Sequence, residues 1–269
     1  MVLKALDDPA NKVVRAAGHL MRSRSARERA RQTVLEGPHL VEEAVRSGSR
    51  IRSVLYSSRL LRGREGEELL ESLHGGAVRT VYVTDRLLDS LSEVERHQGI
   101  LAVAEMDLPS ASELPAGEPV LVADAVQDPG NLGAMMRTAA ALGFRVAVTE
   151  GTVDPFNPKV MRSSAGGVFQ CRLMRLEPGF RVAAGVTVVA ADAHEGLDYR
   201  AFEWPESCAL IMGNEGAGVG PAIQEMRPTL VRIPMQGRTE SLNVAVAAGI
   251  LMAEAQSRFT RAGGRATVH

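Results

Sequence analysis

Five short, nearly continuous apolar runs in the second half of the chain constrain its fold more than any other feature. They lie at residues 120–123, 145–149, 186–191, 209–212 and 230–233. A strand that alternates apolar and polar residues keeps one face wet. A continuous run keeps none, which is the pattern of strands covered on both faces of a parallel sheet. Helical patterns are read between these runs, over 131–142, about 178–184, about 219–226 and 242–258. Strand–helix alternation of this kind predicts an α/β domain built on a parallel sheet.

Residues 1–105 have a different texture. Helices are expected after Asp8-Pro9, proline being tolerated in a first turn, and after Gly37-Pro38, where Leu40, Val41, Ala44 and Val45 recur at helical spacing. Short strands are expected at 54–56, 78–83 and 100–104. Residues 108–119 hold three prolines among small polar residues, the composition of a linker or surface excursion. The expected division is a smaller α/β domain over 1–105, a linker over 106–118, a larger domain over 119–259 and a flexible tail over 260–269, which offers no apolar face.

Charge is balanced overall, 31 basic against 32 acidic residues, so bulk electrostatics announces no polyanion. The local distribution does. Arg22, Arg24, Arg27, Arg29 and Arg31 crowd ten positions against the single Glu28, which marks them as candidate phosphate contacts. A solvated helix face is the alternative. Cys171 and Cys208 have neither a disulfide framework nor metal-ligand spacing and are expected to be reduced thiols, with no metal site. No apolar run approaches the roughly 18 residues of a membrane span. The opening residues are too acidic for a secretory leader. These features point to a cytoplasmic protein with no membrane association.

Three segments carry chemistry-bearing residues. The first, 128–137, reads Asp-Pro-Gly-Asn-Leu-Gly-Ala-Met-Met-Arg. Asn131 suits a helix N-cap, and Arg137 stands alone among Met135, Met136, Ala139 and Ala140, a setting in which a guanidinium is expected to be held by a partner or a phosphate. The second, 212–220, reads Met-Gly-Asn-Glu-Gly-Ala-Gly-Val-Gly. It follows an expected strand but lacks the G-x-G-x-x-G spacing of a dinucleotide fingerprint, and no Gly-Lys-Ser/Thr marks a P-loop. Its glycines permit close backbone approach to a ligand. In the third, 233–249, a polar loop with Glu240, Ser241 and Asn243 runs into a small-residue helix, placing donors and acceptors where orphan N–H groups already favour ligands. Glu240 is read as favourable with the helix dipole and without a chemical role.

In this order the three segments resemble the motifs of the SpoU (TrmH-type) RNA ribose 2′-O-methyltransferases of the SPOUT superfamily. The resemblance covers residues 124–258 closely. It covers 1–105 more loosely, as an L30e-like RNA-binding domain that includes 96–100, Arg-His-Gln-Gly-Ile, where His97 is read as structural. A further stretch, 157–166, matches a family segment with a Ser-Ala-Gly turn. The resemblance implies a SPOUT α/β knot, a deep trefoil in the C-terminal domain, which no periodicity argument would produce. It implies a homodimer with the final helix at the interface, where Ala245, Ala248, Gly249 and Met252 would permit close packing. It implies S-adenosylmethionine as methyl donor, with Ala191, Met212, Gly213, Asn214, Gly216, Ile233, Pro234, Met235 and Leu242 around it. Asn131, Arg137, Glu215, Ser241 and Asn243 would form the catalytic pocket. Structured RNA is the implied substrate, ribosomal RNA ahead of transfer RNA because of the added domain; an RNA-binding module that has lost catalysis is the other class.

Methyl transfer to a ribose hydroxyl needs a proton acceptor or strong polarisation. None of the three segments contains a histidine. The family is described with the arginine as general base, but a guanidinium is essentially always protonated. The physically favoured role for Arg137 is an electrostatic clamp on the ribose-phosphate.

Overall fold

The computed structural model describes residues 4–75, 78–92, 94, 97–237 and 239–262. In chain order the elements are α1 (Lys12–Arg22), α2 (Arg24–Ala30), β1 (Gln32–Glu36), α3 (Pro38–Arg46), β2 (Ile51–Tyr56), α4 (Arg64–Gly75), β3 (Arg79–Tyr82), α5 (Asp85–Leu91), β4 (Ile100–Glu105), β5 (Ser110–Leu114), β6 (Val120–Ala123) and α6 (Pro129–Leu142). There follow β7 (Arg145–Val148), α7 (Pro158–Ser164), α8 (Gly167–Gln170), β8 (Leu173–Val182), β9 (Thr187–Ala191), β10 (Leu197–Asp198), β11 (Cys208–Met212), α9 (Pro221–Glu225), β12 (Thr229–Arg232) and α10 (Val244–Ala262). They fall into two units. One runs up to Asp107 and includes Asp154–Phe169; the other comprises Leu108–Val153 and the chain from Gln170 onward.

The first unit is a four-stranded sheet in the order β1-β4-β2-β3, antiparallel except for the parallel β2–β3 pair. Side-chain oxygens start its first helices: Asn11 accepts from Val13 N–H and Ser23 from Ala26 N–H. The apolar face of α1, with Val13, Val14, Ala17, Leu20 and Met21, packs in one core with Val34, Leu55, Leu88 and Leu101. The segment Asp154–Phe169, distant in sequence, is fixed into the same unit by polar contacts. Thr33 Oγ1 donates to the Phe156 carbonyl at 2.7 Å, and Arg162 Nη1 lies 2.5 Å from Glu36 Oε2. His97 is buried, its Nδ1 accepting from Gly99 N–H at 3.0 Å and its Nε2 lying 2.8 Å from Asp89 Oδ1. These bonds give it a structural place.

The arginine cluster divides. Arg27 is 3 % exposed, and its Nε and Nη2 each lie 2.7 Å from Asp154 Oδ2. Its Nη1 donates to the Leu20 carbonyl at 2.6 Å. It is not available to RNA, because it is buried and held by Asp154 and the Leu20 and Met21 carbonyls inside the unit. Arg24 pairs with Glu28 at 3.0 Å, and Arg29 Nε donates to the Ser25 carbonyl at 3.2 Å. Arg22 and Arg31 are exposed and make no side-chain hydrogen bond or ion pair among the described residues.

The second unit is an eight-stranded sheet, β10-β12-β9-β11-β6-β7-β8-β5, in which every pairing is parallel. The five apolar runs supply β6, β7, β9, β11 and β12, and β6 and β11 are wholly buried as continuous apolarity demands. Two expectations fail here. The helix read at about 178–184 is the end of strand β8, whose Met174, Leu176 and Phe180 are buried while Glu177, Pro178, Gly179 and Arg181 are exposed. The proline-rich linker contains a strand, β5, which pairs with β8 at the sheet edge, where proline is tolerated outside the ladder. α1 also starts three residues beyond Pro9. At the other end α10 runs to Ala262, into the expected tail, and residues 263–269 lie outside the described residues.

α10 packs on α6. A side chain at Gly249 would sit 3.8 Å from Thr138 Cγ2, and Ala248 and Met252 are buried. The small-residue face assigned in part to a subunit interface is therefore used inside the chain, because short side chains let these two helices approach.

Candidate active site

The carboxyl ends of β9, β11 and β12 open into a cavity of about 630 Å³. In an open parallel sheet ligands sit at this end, on the side where strand order reverses. After β8 the chain returns to the far side of β6, and the cavity lies on that side. Met212, Val231, Ile233, Met235, Leu242 and Leu251 give it apolar surface, while Asp192, Asn214, Glu215, Ser241 and Asn243 give it polar groups. Cofactor-sized ligands occupy volumes of roughly 300–1,000 Å³.

Asn214 builds the loop after β11. Its backbone pairs with Gly218 in both directions, at 2.8 and 3.0 Å. Its Oδ1 accepts from the N–H groups of Gly216 and Ala217, each at 3.0 Å, and its Nδ2 donates to the Ala125 carbonyl at 2.9 Å. Ala125 holds the left-handed region, φ 54°, a strain of order 1–3 kcal/mol that recurs at functional sites. A Cβ at Gly213 would lie 2.3 Å from the Gly218 carbonyl carbon. The missing side chain at Gly213 thus makes room for the loop's own backbone, while Gly213 itself lines the cavity. Asp124, buried at the end of β6, accepts from Thr149 Oγ1 and from Gly220 N–H, both at 2.7 Å, and so ties the far end of this loop to the sheet.

The three motif segments meet at Asn131. The helix cap is Asp128, not Asn131: Asp128 Oδ1 accepts from Asn131 N–H at 2.8 Å. That leaves the Asn131 amide free to reach outward. Its Nδ2 donates to Glu215 Oε1 at 2.9 Å, and its Oδ1 accepts from Asn243 Nδ2 at 2.8 Å. Asn243 Oδ1 in turn accepts from Ala245 and Val246 N–H at 2.9 and 3.2 Å, capping α10. One amide thus joins the first turn of α6, the β11 loop and the start of α10.

Burial alone would raise the Glu215 pKa. The Asn131 amide and the backbone N–H groups of Glu215, Gln127 and Asp128 outweigh it and hold the carboxyl below its ordinary value. A depressed carboxylate contributes stability above its ordinary pKa and loses it as pH falls through the lowered one. The Asn131 side-chain amide resonance should therefore report a titration with its midpoint below 4.5, and Glu215→Gln should abolish it. A midpoint at or above that value would contradict the array.

Of the residues singled out from sequence, Ala191, Met212, Gly213, Asn214, Glu215, Gly216, Ile233, Met235, Ser241, Leu242 and Asn243 line the cavity, as does Glu240. Asn131 is hydrogen-bonded to two of them. Pro234 and Arg137 are not in the lining. Arg137 is exposed, with no side-chain partner among the described residues, and it lies about 9 Å along the helix from Asn131 and about 120° around it. Of the partner or phosphate expected for it, the described residues supply no partner. Sequence reasoning missed Asp124, Ala125, Asp192 and His194. An available signal was the tripeptide Ala-Asp-Ala, which follows two apolar runs, at 123–125 and 191–193. In the second copy Asp192 Oδ1 accepts from His194 and Glu195 N–H, each at 2.8 Å, which with the nearby His194 holds its pKa down.

An all-parallel sheet with a cofactor-sized cavity at its carboxyl edge, closed by three loops that one amide ties together, defines an α/β protein of the ligand-binding kind. The pattern of the SpoU rRNA methylase family matches residues 118–253, and that of an MRM3-like substrate binding domain matches residues 11–102. The 23S rRNA (guanosine(2553)-2′-O)-methyltransferase RlmP of Bacillus subtilis (strain 168) is 36% identical over 86% of this chain and 91% of its own length. The 23S rRNA (uridine(2479)-2′-O)-methyltransferase of Streptomyces viridochromogenes is 31% identical over 88% and 86%. The crystal structure of AdoMet-bound rRNA methyltransferase from Sinorhizobium meliloti superposes with a TM-score of 0.80 at 28% identity, covering 94% of this chain and 97% of that one. The chain belongs to the SpoU rRNA methylase family.

Proposed function

We propose that this protein transfers a methyl group from S-adenosylmethionine to a ribose 2′-hydroxyl of ribosomal RNA. The observation that carries the reading is the convergence of Asn131, Glu215 and Asn243 in one hydrogen-bonded array beside the cavity. The relatives named for 23S rRNA favour ribosomal over transfer RNA. The donor set suits the cofactor: apolar surface from Met212, Ile233, Met235 and Leu242 for a planar base, and polar groups from Asp192, Ser241 and Asn243 for a ribose and an amino acid moiety. When bound, S-adenosylmethionine supplies an electrophilic methyl group on a sulfonium.

The chain's own residues do the rest. The Asn214 bonds hold the β11 loop rigid, so that the backbone around Gly213 and Gly216 is preorganised for the donor. Asn131 keeps the Glu215 carboxylate oriented and ionised at the cavity. Ser241 offers a hydroxyl at the mouth. Arg137 stands outside the cavity lining of its own chain, where its guanidinium is free to grip RNA phosphate and ribose and to stabilise oxyanion charge. A homodimer is the proposed assembly, supported by Leu242 and Val246, which are 36% and 53% exposed at the start of α10. The proposed compartment is the cytoplasm; among the described residues no helix is long and apolar enough to cross a membrane.

The test is transcriptome-wide mapping of 2′-O-methylation with and without the gene, beside calorimetric titration of S-adenosylmethionine into the purified protein. A ribosomal 2′-O-methyl mark that disappears with the gene is expected, together with saturable donor binding. Donor binding without any lost mark would favour a catalytically silent RNA-binding module. A folded protein that binds no donor would overturn the reading.

A further inference from the structure

The sequence directs attention to the arginines between 22 and 31, yet the structure pairs or buries most of them. A longer row of basic side chains lies one helix earlier and takes in Arg22 itself. Lys12, Arg15, His19 and Arg22 follow at intervals of three, four and three along α1, which puts all four on one face of the helix. Each is exposed, and none has a side-chain hydrogen bond or ion pair among the described residues. The opposite face, with Val13, Val14, Ala17, Leu20 and Met21, is sealed in the core, so the stripe cannot turn inward. Together with Ser90 and Leu91 of α5 the four side chains line a groove of about 640 Å³. Gly18 shapes it. A Cβ there would sit 3.0 Å from Leu91 Cδ2 and 3.1 Å from Arg22 Nη2, so the missing side chain lets α5 approach and the Arg22 guanidinium lie back along the groove.

A helix that only needed solvation would intersperse acids at these intervals, as α4 does with Arg64 and Glu68 at 2.7 Å. α1 has no acid at all in its eleven residues. The ten steps from Lys12 to Arg22, at about 1.5 Å each, make a row about 15 Å long, with basic side chains that can swing toward a curved anionic backbone. We propose that this stripe is the phosphate-gripping surface of the first unit and that its partner is the backbone of folded ribosomal RNA. The inference rests on the RNA-methyltransferase reading and gives its substrate a docking surface. It agrees with the match of residues 11–102, α1 included, to a substrate binding domain. Charge complementarity without a bidentate pocket predicts positioning of the RNA and no sequence readout.

The test uses the full-length protein and a labelled 23S rRNA transcript, with affinity measured across a salt series. Each phosphate contact contributes roughly 0.7–0.9 to the slope of log K against log salt. Lys12→Gln/Arg15→Gln/Arg22→Gln should therefore flatten the slope by about 2–3 and weaken binding by about 10²-fold near 0.1 M salt. Donor affinity and the circular dichroism melt should stay at wild-type values, because the side chains removed touch solvent. Arg15→Lys/Arg22→Lys should keep the wild-type slope, since charge and not the planar fork is at work. Arg64→Gln, which removes a paired surface arginine, should also keep it. A wild-type slope in the triple variant would overturn the stripe alone. So would a triple variant that binds naked rRNA normally but loses affinity for intact large ribosomal subunits, which would make an acidic protein surface the partner. Wild-type affinity that ignored salt altogether would overturn the RNA reading along with the stripe.

Discussion

Arg137→Ala should cut single-turnover methylation by about 10²-fold or more while leaving the S-adenosylmethionine dissociation constant almost unchanged. The scale is that of removing one preorganised charge-stabilising group. The separation of the two effects follows from position. Arg137 is exposed on α6, is absent from the lining of the proposed donor cavity, and has no side-chain partner among the described residues to reorganise when it is lost. Its neighbours Met135, Met136 and Ala139 are buried, so the helix itself should persist. Arg137→Lys keeps the charge and loses the planar fork, and should fall between the two. A pH–rate profile separates the roles: a base leaves an ionisation in the wild type that the lysine variant lacks, whereas a clamp leaves none. Methylation by the alanine variant at the wild-type rate would remove this residue from the chemistry.

Arg27→Ala should destabilise the first unit by about 3–5 kcal/mol, the usual result of leaving one member of a buried ion pair alone. Asp154 would keep only the Phe156 N–H that Oδ1 accepts at 3.0 Å, with its other oxygen facing a space vacated by the guanidinium. The Leu20 and Met21 carbonyls at the end of α1 would lose a donor as well. Arg27→Met/Asp154→Leu should recover most of the loss, because an apolar pair of similar volume removes both charges together. Denaturant unfolding followed by circular dichroism measures both. A change within about 0.5 kcal/mol for Arg27→Ala, the range of an ordinary surface substitution, would mean that the pair does not hold the unit together.

Arg27 also marks where the sequence stopped being readable. Its partner lies 127 positions away, and a local count of charges cannot see it. Asn131 shows the same limit in a milder form. Its residue type and neighbourhood announced a helix start, but which of Asp128 and Asn131 would cap, and which would be left to bridge Glu215 and Asn243, depends on contacts 84 and 112 residues apart. The strands at 120–123 and 209–212 were legible because burial on both faces leaves no polar position to confuse the pattern. β8 and β5, at the margin of the same sheet, mix Glu177, Pro178 and Gly179 or Ser110 and Glu113 among their apolar residues, and there local composition imitates helix and linker. The cavity loops were found because they are short in sequence and dense in glycine and amide. His194 was not, because it stands in a loop whose only signal was a repeated tripeptide.

Asn243 is at once the cap of the last helix and the anchor of Asn131, a residue more than a hundred positions earlier. A ribosome delivers the chain from its N-terminus at roughly 5–20 residues per second, so α6 and the β11 loop leave the exit tunnel before the segment that completes their bond. Until that segment docks on α6, Asn131 lacks one partner and the cavity lacks a wall. A chain that stopped before Asn243 would therefore lack both the Asn131 anchor and the side of the cavity that Asn243, Val244, Ala247 and Leu251 supply.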